Sequence, residues 1–200
     1  MGLIVIFGGT FNPIHIGHRQ IIDRLSNINE VEKIILIPTK IPPHKQVDFL
    51  AAESDRVNMC KLIASKYHNV EVSTIELKRE GKSYTVDTLM SVQNLYPDKK
   101  IAITIGADMV VTFDEWKDYR KIIENSVIIT FARIGTDRLA YALGIEQLKR
   151  LGAELLVLED DILDVSSTQI RDHLSSGTSS EGLLDREIYD YICNNNVYEA

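Results

Sequence analysis

The amino-acid sequence predicts an α/β protein with a single domain built on a doubly wound parallel sheet. The first observation is that short apolar runs rich in Ile and Val alternate with longer segments of helical periodicity. The second is that 200 residues with 44% apolar and 26% charged side chains suit one globular domain with a full core. The third is that no repeat, low-complexity tract or Pro/Gly/Ser linker divides the chain, so we expect residues 1–200 to form one unit.

The apolar runs are the predicted strands. In chain order they are Leu3 to Phe7, Lys33 to Ile37, Val70 to Ile75, Ile101 to Ile105, Val127 to Phe131 and Leu155 to Leu158. The predicted helices are His15 to Ser26, Ala52 to Tyr67, Thr85 to Leu95, Leu139 to Leu151, Thr168 to Ser176 and Leu183 to Asn194. A crossover helix after each strand is the pattern of a parallel sheet. Because ligands bind beyond the carboxyl ends of such strands, the turns after the apolar runs are where we expect the chemistry.

The charge balance limits the kinds of partner. Lys and Arg number 22 against 29 Asp and Glu, which gives a net charge of −7 and no global basic field for nucleic acid or anionic lipid. We therefore expect no nucleic-acid or membrane partner, and any bound anion must be held by a local group of donors. Two cysteines, Cys60 and Cys193, are too few for a disulfide framework, and the start of the chain lacks the features of a signal peptide. These features predict a cytoplasmic protein.

The turn after the first strand is the most informative segment. Gly8 and Gly9 permit close approach of the backbone to a phosphate, and a helix starting near His15 directs free N–H groups at it. His15 and His18 lie three residues apart, on one face of the first helical turn. The alternatives are a tight turn whose histidines satisfy the helix end, and a zinc site, which lacks a third ligand at suitable spacing. The spacing does not match G-x-G-x-x-G, so a dehydrogenase has little support.

A second candidate phosphate site follows the last predicted strand. Ser166 or Ser167 is suited to cap a helix, and Arg171 lies four to five residues further on. The free N–H groups of the helix start, the hydroxyls and the guanidinium converge on a spot of the size of an anion. The alternative is an ordinary capped helix with a surface arginine.

Together these two segments resemble a known superfamily. Residues 8–18 match the G-x-F-x-P-x-H-x-G-H signature of the nucleotidyltransferase α/β-phosphodiesterase superfamily, and Ser166 to Arg171 match its S-S-T-x-I-R signature. Three further segments resemble the bacterial nicotinate-nucleotide adenylyltransferases: Ile37 to Lys45, the S-Y-T-V-D-T-L heptad from Ser83 to Leu89, and the region from Ile105 to Trp116. The resemblance covers nearly the whole chain and implies a Rossmann-like nucleotidyltransferase fold, with the second phosphate motif in a C-terminal helical region at about 166–200.

The resemblance also implies a reaction and residue roles. The expected reaction transfers the adenylyl group of ATP to nicotinate mononucleotide, giving nicotinate adenine dinucleotide and pyrophosphate, with Mg²⁺ bound mainly through the ATP phosphates and no protein metal ligands. The implied catalytic residues are His15, His18 and Arg171. The implied ATP-binding residues are Gly8, Gly9, Thr10, Phe11, Gly17, Gly106, Asp108, Arg133, Ser167 and Thr168. Those implied for nicotinate mononucleotide are His44, Lys45, Tyr84, Thr85 and Trp116.

The chain departs from the family pattern at three places. Asn12 replaces a common Asp, which removes a charge near the expected phosphate site, and Ile134 replaces a Pro, which predicts a less rigid loop beside Arg133. Asp185 replaces a Pro before the final helix, a change we interpret as structural.

Other acceptors and one other class stay open at this point. A nicotinamide mononucleotide adenylyltransferase differs chiefly in reading an amide instead of a carboxylate, and N–H donors at a helix start favour the carboxylate. A pantetheine-phosphate adenylyltransferase shares both phosphate motifs but lacks the heptad from Ser83 to Leu89. A non-catalytic nucleotide sensor could share the fold, because a fold does not establish turnover. The sequence also leaves the oligomeric state open, with a homodimer as one option.

Overall fold

The computed structural model of this protein contains one six-stranded parallel sheet, as predicted. It describes residues 2–40, 49–180 and 182–198, and excludes the side chains of residues 159–161. The strands are β1 Leu3–Gly9, β2 Val31–Pro38, β3 Val70–Val72, β4 Lys100–Gly106, β5 Val127–Arg133 and β6 Glu154–Ile162. Their order in the sheet is β3-β2-β1-β4-β5-β6, and each neighbouring pair is parallel.

The predicted helices are all present, with ends shifted by up to three residues. The helices are α1 Ile16–Ser26, α2 Glu53–Ala64, α3 Thr85–Leu95, α4 Ala107–Val111, α5 Tyr119–Asn125, α6 Arg138–Arg150, α7 Ser167–Ser175 and α8 Arg186–Asn194, with a 3₁₀ turn at Phe113–Glu115. The sequence analysis missed α4, the 3₁₀ turn and α5, because segments of five, three and seven residues are too short to show a helical period. The final helix starts later than expected because its N-cap is Asp185.

Helices cover both faces of the sheet, which is what doubly wound means. Leu3, Val5 and Phe7 of β1 belong to one buried cluster, together with residues of α1, α2 and α8. Ile4 and Ile6 of the same strand belong to a second cluster, together with residues of α3, α5 and α6. Since successive side chains of a strand point to opposite faces, the continuous apolar run of β1 reflects burial on both sides.

The strand order fixes where a ligand can bind. From β1 the chain runs outward to β2 and β3, and then returns to β4 on the other side of β1. The crevice of such a sheet lies at this reversal, beyond the carboxyl ends of β1 and β4. Within the described residues, no helix combines the length and apolar character needed to cross a membrane.

Candidate active site

A pocket of about 430 Å³ opens at this crevice. Its wall contains most of the residues implied by the sequence motifs, which are Gly8, Gly9, Thr10, Phe11, His15, His18, Tyr84, Thr85, Gly106, Asp108, Trp116, Arg133, Ser167, Thr168 and Arg171. Gly17 lies behind the wall, where a Cβ would come within 3.2 Å of the His15 ring, so its role is close packing of α1. His44 and Lys45 lie outside the described residues.

The two glycines expected to form the first turn lie instead at the end of β1. Gly8 and Gly9 are the last residues of β1, and the chain reverses at Phe11, which adopts a left-handed φ of 49°, before a cis Asn12–Pro13 peptide bond. A Cβ on Gly9 would lie 3.0 Å from the Phe11 ring, whereas one on Gly8 would meet nothing within 4 Å. Gly9 is therefore needed for close packing, and Gly8 leaves the pocket floor open.

The rings of the two histidines lie against each other at the start of α1, with their planes tilted by 37°. His15 is the N-cap, and its backbone N–H donates to His18 Nδ1 over 3.2 Å. The centroids of the two rings are 3.7 Å apart. Because Nδ1 of His18 accepts a hydrogen bond, the proton of its neutral ring is on Nε2. The reading in which these histidines only satisfy the helix end is thus partly correct, since His18 caps α1 while it also lines the pocket.

His15 is a neutral imidazole. Only 5% of its surface is exposed, and Nδ1 has no hydrogen-bond partner among the described residues. Burial, assisted by the positive charge of Arg133, lowers the pKa of His15 from 6.5 to about 3. His15 can therefore donate a hydrogen bond to an anion near neutral pH, but it does not supply a positive charge.

The second phosphate motif contacts the first directly. Ser166 is the N-cap of α7, and its Oγ accepts from the N–H of Gln169 over 3.1 Å. The Ser167 hydroxyl donates to the Pro13 carbonyl oxygen over 2.9 Å. Arg171 donates from Nη1 to the Asn12 carbonyl oxygen over 2.8 Å and from Nη2 to Thr168 Oγ1 over 3.2 Å. Two segments more than 150 residues apart thus border one end of the pocket, and the arginine is not an isolated surface group.

The Asn12 side chain, at the edge of the pocket, is bonded to other parts of the protein. Its Nδ2 donates to the Phe49 carbonyl oxygen over 2.7 Å, and its Oδ1 accepts from the Ala51 N–H over 3.1 Å and from the Tyr198 hydroxyl over 3.0 Å. Asn12 is 1% exposed. Its amide therefore connects the first turn to the segment before α2 and to the C-terminal region.

The loop beside Arg133 is held by hydrogen bonds in spite of the missing proline. The Arg133 N–H donates to Thr136 Oγ1 over 2.8 Å, and the Thr136 N–H donates to the Arg133 carbonyl oxygen over 3.0 Å. The Ile134 N–H donates to the Ile162 carbonyl oxygen over 3.0 Å. Because Gly135 takes a left-handed φ of 88°, the chain can turn here without Pro.

The opposite end of the pocket is formed by the start of α3 and by an aromatic wall. Tyr84 is the N-cap of α3, so the N–H groups of Thr85 and Val86 lack intrahelical acceptors, whereas the Asp87 N–H donates to the Tyr84 carbonyl oxygen over 3.1 Å. Trp116 is half-buried, lines the pocket, and has its ring 5.1 Å from that of Phe113. The single Trp of the chain is therefore part of the pocket wall as well as of the packing below it.

Sequence reasoning missed two charged residues of the wall. The Nζ of Lys117 lies 4.5 Å from the centroid of the Tyr84 ring. Its position directly after Trp116 in the sequence is the feature that could have identified it. Glu76 is 6% exposed and accepts a hydrogen bond from Thr88 Oγ1 at Oε1 over 2.7 Å. Burial raises the pKa of Glu76. No local pattern identifies Glu76, because its hydrogen-bond partners Thr39, Ser83 and Thr88 come from different segments of the chain.

Comparisons with known proteins agree with this geometry. A family model described as cytidylyltransferase-like matches residues 6–173. A protein of Borrelia hermsii named "Probable nicotinate-nucleotide adenylyltransferase" is 34% identical over 195 residues, covering 98% of this chain and 97% of the relative. A protein of the same name from Bacillus licheniformis is 33% identical over 200 residues, covering both chains completely.

Solved structures agree on the fold. The Plasmodium falciparum nicotinic acid mononucleotide adenylyltransferase complexed with APC has a TM-score of 0.81 and 20% identity, covering 100% of this chain and 98% of that one. The same enzyme complexed with NaAD has a TM-score of 0.80 at the same identity. From the matched family model and the full-length relatives, the chain belongs to the cytidylyltransferase-like family and, within it, to the nicotinate-nucleotide adenylyltransferases.

Proposed function

We propose that the pocket binds ATP and nicotinate mononucleotide side by side and transfers the adenylyl group between them. The products are nicotinate adenine dinucleotide and pyrophosphate, as the names of the full-length relatives imply. The observation that carries the proposal is that a single pocket is lined by the His15–His18 pair of α1, by the start of α7 with Arg171, and by the start of α3 with Trp116.

The chemistry needs no nucleophile from the protein. The phosphate of nicotinate mononucleotide is ionised at neutral pH, and one of its oxygens forms a bond to the α-phosphorus of ATP. The bond from that phosphorus to the bridging oxygen breaks, and pyrophosphate leaves with the electron pair. The protein therefore has to align the two phosphates and to stabilise the negative charge that develops between them.

The donors at the first end of the pocket divide into two groups. Nε2 of His18 and the neutral ring of His15 suit the α-phosphate, where charge develops. Arg171 and the N–H groups at the start of α7 suit the β- and γ-phosphates, since a guanidinium and a helix N-terminus both favour anions. The Ser167 hydroxyl already donates to Pro13, so Ser167 serves the phosphates through its backbone and through the position of α7.

The pocket suits a Mg²⁺ ion that takes most of its ligands from ATP. Among the described residues, no group of three or more His, Cys, Asp or Glu side chains could hold a metal ion, and Asp108 is a carboxylate of the pocket wall. Mg²⁺ usually retains several waters and binds through substrate phosphates. When bound, the ion neutralises phosphate charge during the transfer.

The acceptor end favours a carboxylate on the pyridine ring. The free N–H groups at the start of α3 are donors, and Lys117, whose Nζ is also 3.4 Å from Asp87 Oδ2, has its ammonium next to Tyr84. A carboxylate accepts from both, whereas a carboxamide offers only one acceptor oxygen and also presents its own N–H groups to these donors. The indole of Trp116 suits stacking on the ring.

The test is turnover with matched acceptors. Purified protein with ATP and Mg²⁺ is given nicotinate mononucleotide, nicotinamide mononucleotide or phosphopantetheine, and pyrophosphate release and product mass are followed. We expect the fastest dinucleotide formation with the nicotinate form. Faster reaction of another acceptor would refute the acceptor assignment, and ATP binding without any turnover would favour the sensor.

The role of His18 is tested by comparing the variants H18A and H68A. H18A should lower kcat by roughly 100-fold or more with little change in the KM for nicotinate mononucleotide, because the lost hydrogen bond acts in the transition state. H68A, at an exposed position after α2, is the control. Weaker binding of both nucleotides by H18A at unchanged kcat would overturn this role.

A further inference from the structure

Arg56 of α2 is a buried cation outside the pocket wall. It is 0% exposed and is the largest of the fully buried side chains. Its guanidinium donates to three carbonyl oxygens: from Nη1 to Thr10 over 2.9 Å and to Thr39 over 2.7 Å, and from Nε to Ala51 over 3.3 Å. Among the described residues, no carboxylate forms an ion pair with it.

A buried guanidinium without a carboxylate partner is unfavourable for stability alone. Removing the charge from water costs free energy, and apolar residues of similar volume are often as stable as a buried charge or more so. Arg56 lies among apolar neighbours on its own helix, since Val57, Met59 and Cys60 are all in the buried core. We therefore look for the role of Arg56 in the segments that carry its three acceptor oxygens.

Two of these acceptors belong to the segments that follow the neighbouring strands β1 and β2, where both segments border the pocket. Thr10 follows β1 in the turn that precedes the His15–His18 pair, and Thr39 follows β2. Both residues line the pocket. One nitrogen, Nη1, bonds to both carbonyl oxygens, so it fixes how far apart these two segments are. The Thr39 N–H donates to the Gly9 carbonyl oxygen over 2.9 Å and strengthens the same connection.

The third acceptor joins Arg56 to the rest of the first turn. Ala51 accepts from Nε of Arg56, and its N–H donates to Asn12 Oδ1 over 3.1 Å. The Asn12 carbonyl oxygen in turn accepts from Arg171. A continuous chain of hydrogen bonds therefore runs from α7, through the first turn, to the end of β2.

We propose that Arg56 is a positioning residue for adenylyl transfer, which fixes the Thr10 segment against the Thr39 segment and so aligns the donor and acceptor phosphates. It does not touch either substrate. The inference rests on the proposed function, because alignment matters only if two substrates react in this pocket. A displacement of about 1 Å in such an arrangement can lower a rate by about 100-fold.

The test uses R56K, with R150K as its matched control. Lysine keeps the positive charge but has a single ammonium in place of the planar fork, so it cannot hold the same three carbonyls in the same geometry. Arg150, at the end of α6, is exposed. We expect kcat of R56K to fall roughly tenfold or more while its Kd for ATP, measured by calorimetry, changes less than about threefold. R150K should match the wild type in both.

Chemical rescue separates positioning from packing. R56A leaves space for a free guanidinium ion, and sub-denaturing guanidinium chloride should raise its kcat at least about threefold over NaCl of equal ionic strength. The same salt should not raise the rate of H18A. A merely structural role would instead lower the melting temperature of R56K and leave its kcat unchanged.

Each outcome of these experiments supports or overturns the positioning role of Arg56. A kcat loss in folded R56K together with rescue of R56A supports it. Normal kcat in R56K, absence of rescue in folded R56A, or failure of both variants to fold even in the cold overturns it in favour of a structural role. If the wild type itself shows no turnover with any acceptor, the proposed function fails, and that result is distinguishable because it does not involve Arg56.

Discussion

The neutral state of His15 should make the stability of this protein sensitive to mild acid. His15 is buried, with its pKa lowered to about 3, whereas the pKa of an exposed histidine is 6.5. Below pH 6.5 the unfolded chain takes up a proton at this position and the folded chain does not. The contribution of His15 is therefore complete above pH 6.5, and it is lost progressively as the pH falls toward 3.

The size of the loss follows from the two pKa values. Each pH unit between them is worth about 1.4 kcal/mol, so moving from pH 6.5 to pH 5 should destabilise the protein by about 2 kcal/mol through His15 alone. H15Q removes the titrating group and keeps a polar side chain of similar size. On going from pH 7.5 to pH 5, the wild type should lose about 2 kcal/mol more of its unfolding free energy than H15Q does.

Urea unfolding at the two pH values measures this difference. The comparison between proteins cancels the contribution of other titrating groups that the substitution leaves unchanged. H68Q removes an exposed imidazole and serves as the control for loss of a histidine. If wild type and H15Q lose the same free energy between pH 7.5 and pH 5, His15 is not buried in its neutral form, and its assignment as an uncharged donor is wrong.

Further substitutions test other parts of the pocket. The raised pKa of Glu76 predicts that the wild type loses stability as the pH rises above 4.5. E76Q still accepts a hydrogen bond from Thr88 and should lack this loss. If the unfolding free energy in urea changes equally with pH in both proteins, the burial argument is wrong. W116A should raise the KM for nicotinate mononucleotide about tenfold with W116F closer to wild type, and equal KM values would exclude stacking. S167A removes the bond to Pro13 and should cost about 1 kcal/mol of stability and raise the KM for ATP, whereas an unchanged KM would show that α7 is placed without it.

The sheet was predictable because its strands are buried on both faces. A strand such as β1 reads as an unbroken apolar run, and the alternation of such runs with longer helical periods predicts a parallel sheet. The short helices between β4 and β5 were missed because a segment of five residues, such as Ala107–Val111, holds little more than one turn of helical period. Tertiary contacts, and not local sequence, determine such elements.

The residues that line the pocket were easier to predict than the residues that position them. His15 and His18 are three residues apart, so their spacing predicts a shared helix face. Arg56 lies 46 residues from Thr10 and 17 from Thr39, and these two acceptors lie in the segments that follow β1 and β2. The amide of Asn12 bonds to Phe49, Ala51 and Tyr198, which are 37 or more residues away in sequence. Spacing carries no information on contacts of this kind.

The first turn shows why such distant contacts matter for binding an anion. Its carbonyl oxygens are acceptors for side chains of later elements: Thr10 accepts from Arg56, Asn12 from Arg171 and Pro13 from Ser167. In a planar trans peptide the carbonyl and the following N–H point in opposite directions, so the bonds to the Thr10 and Pro13 carbonyls fix the directions of the Phe11 and Ile14 N–H groups. The bond to the Asn12 carbonyl holds the turn itself, because Pro13 has no N–H. A turn with free carbonyls could rotate them toward the phosphates and repel the negative charge. Donors from α2 and α7 prevent this rotation, and the proposed anion site of the first turn therefore depends partly on Arg56, which lies outside the pocket wall.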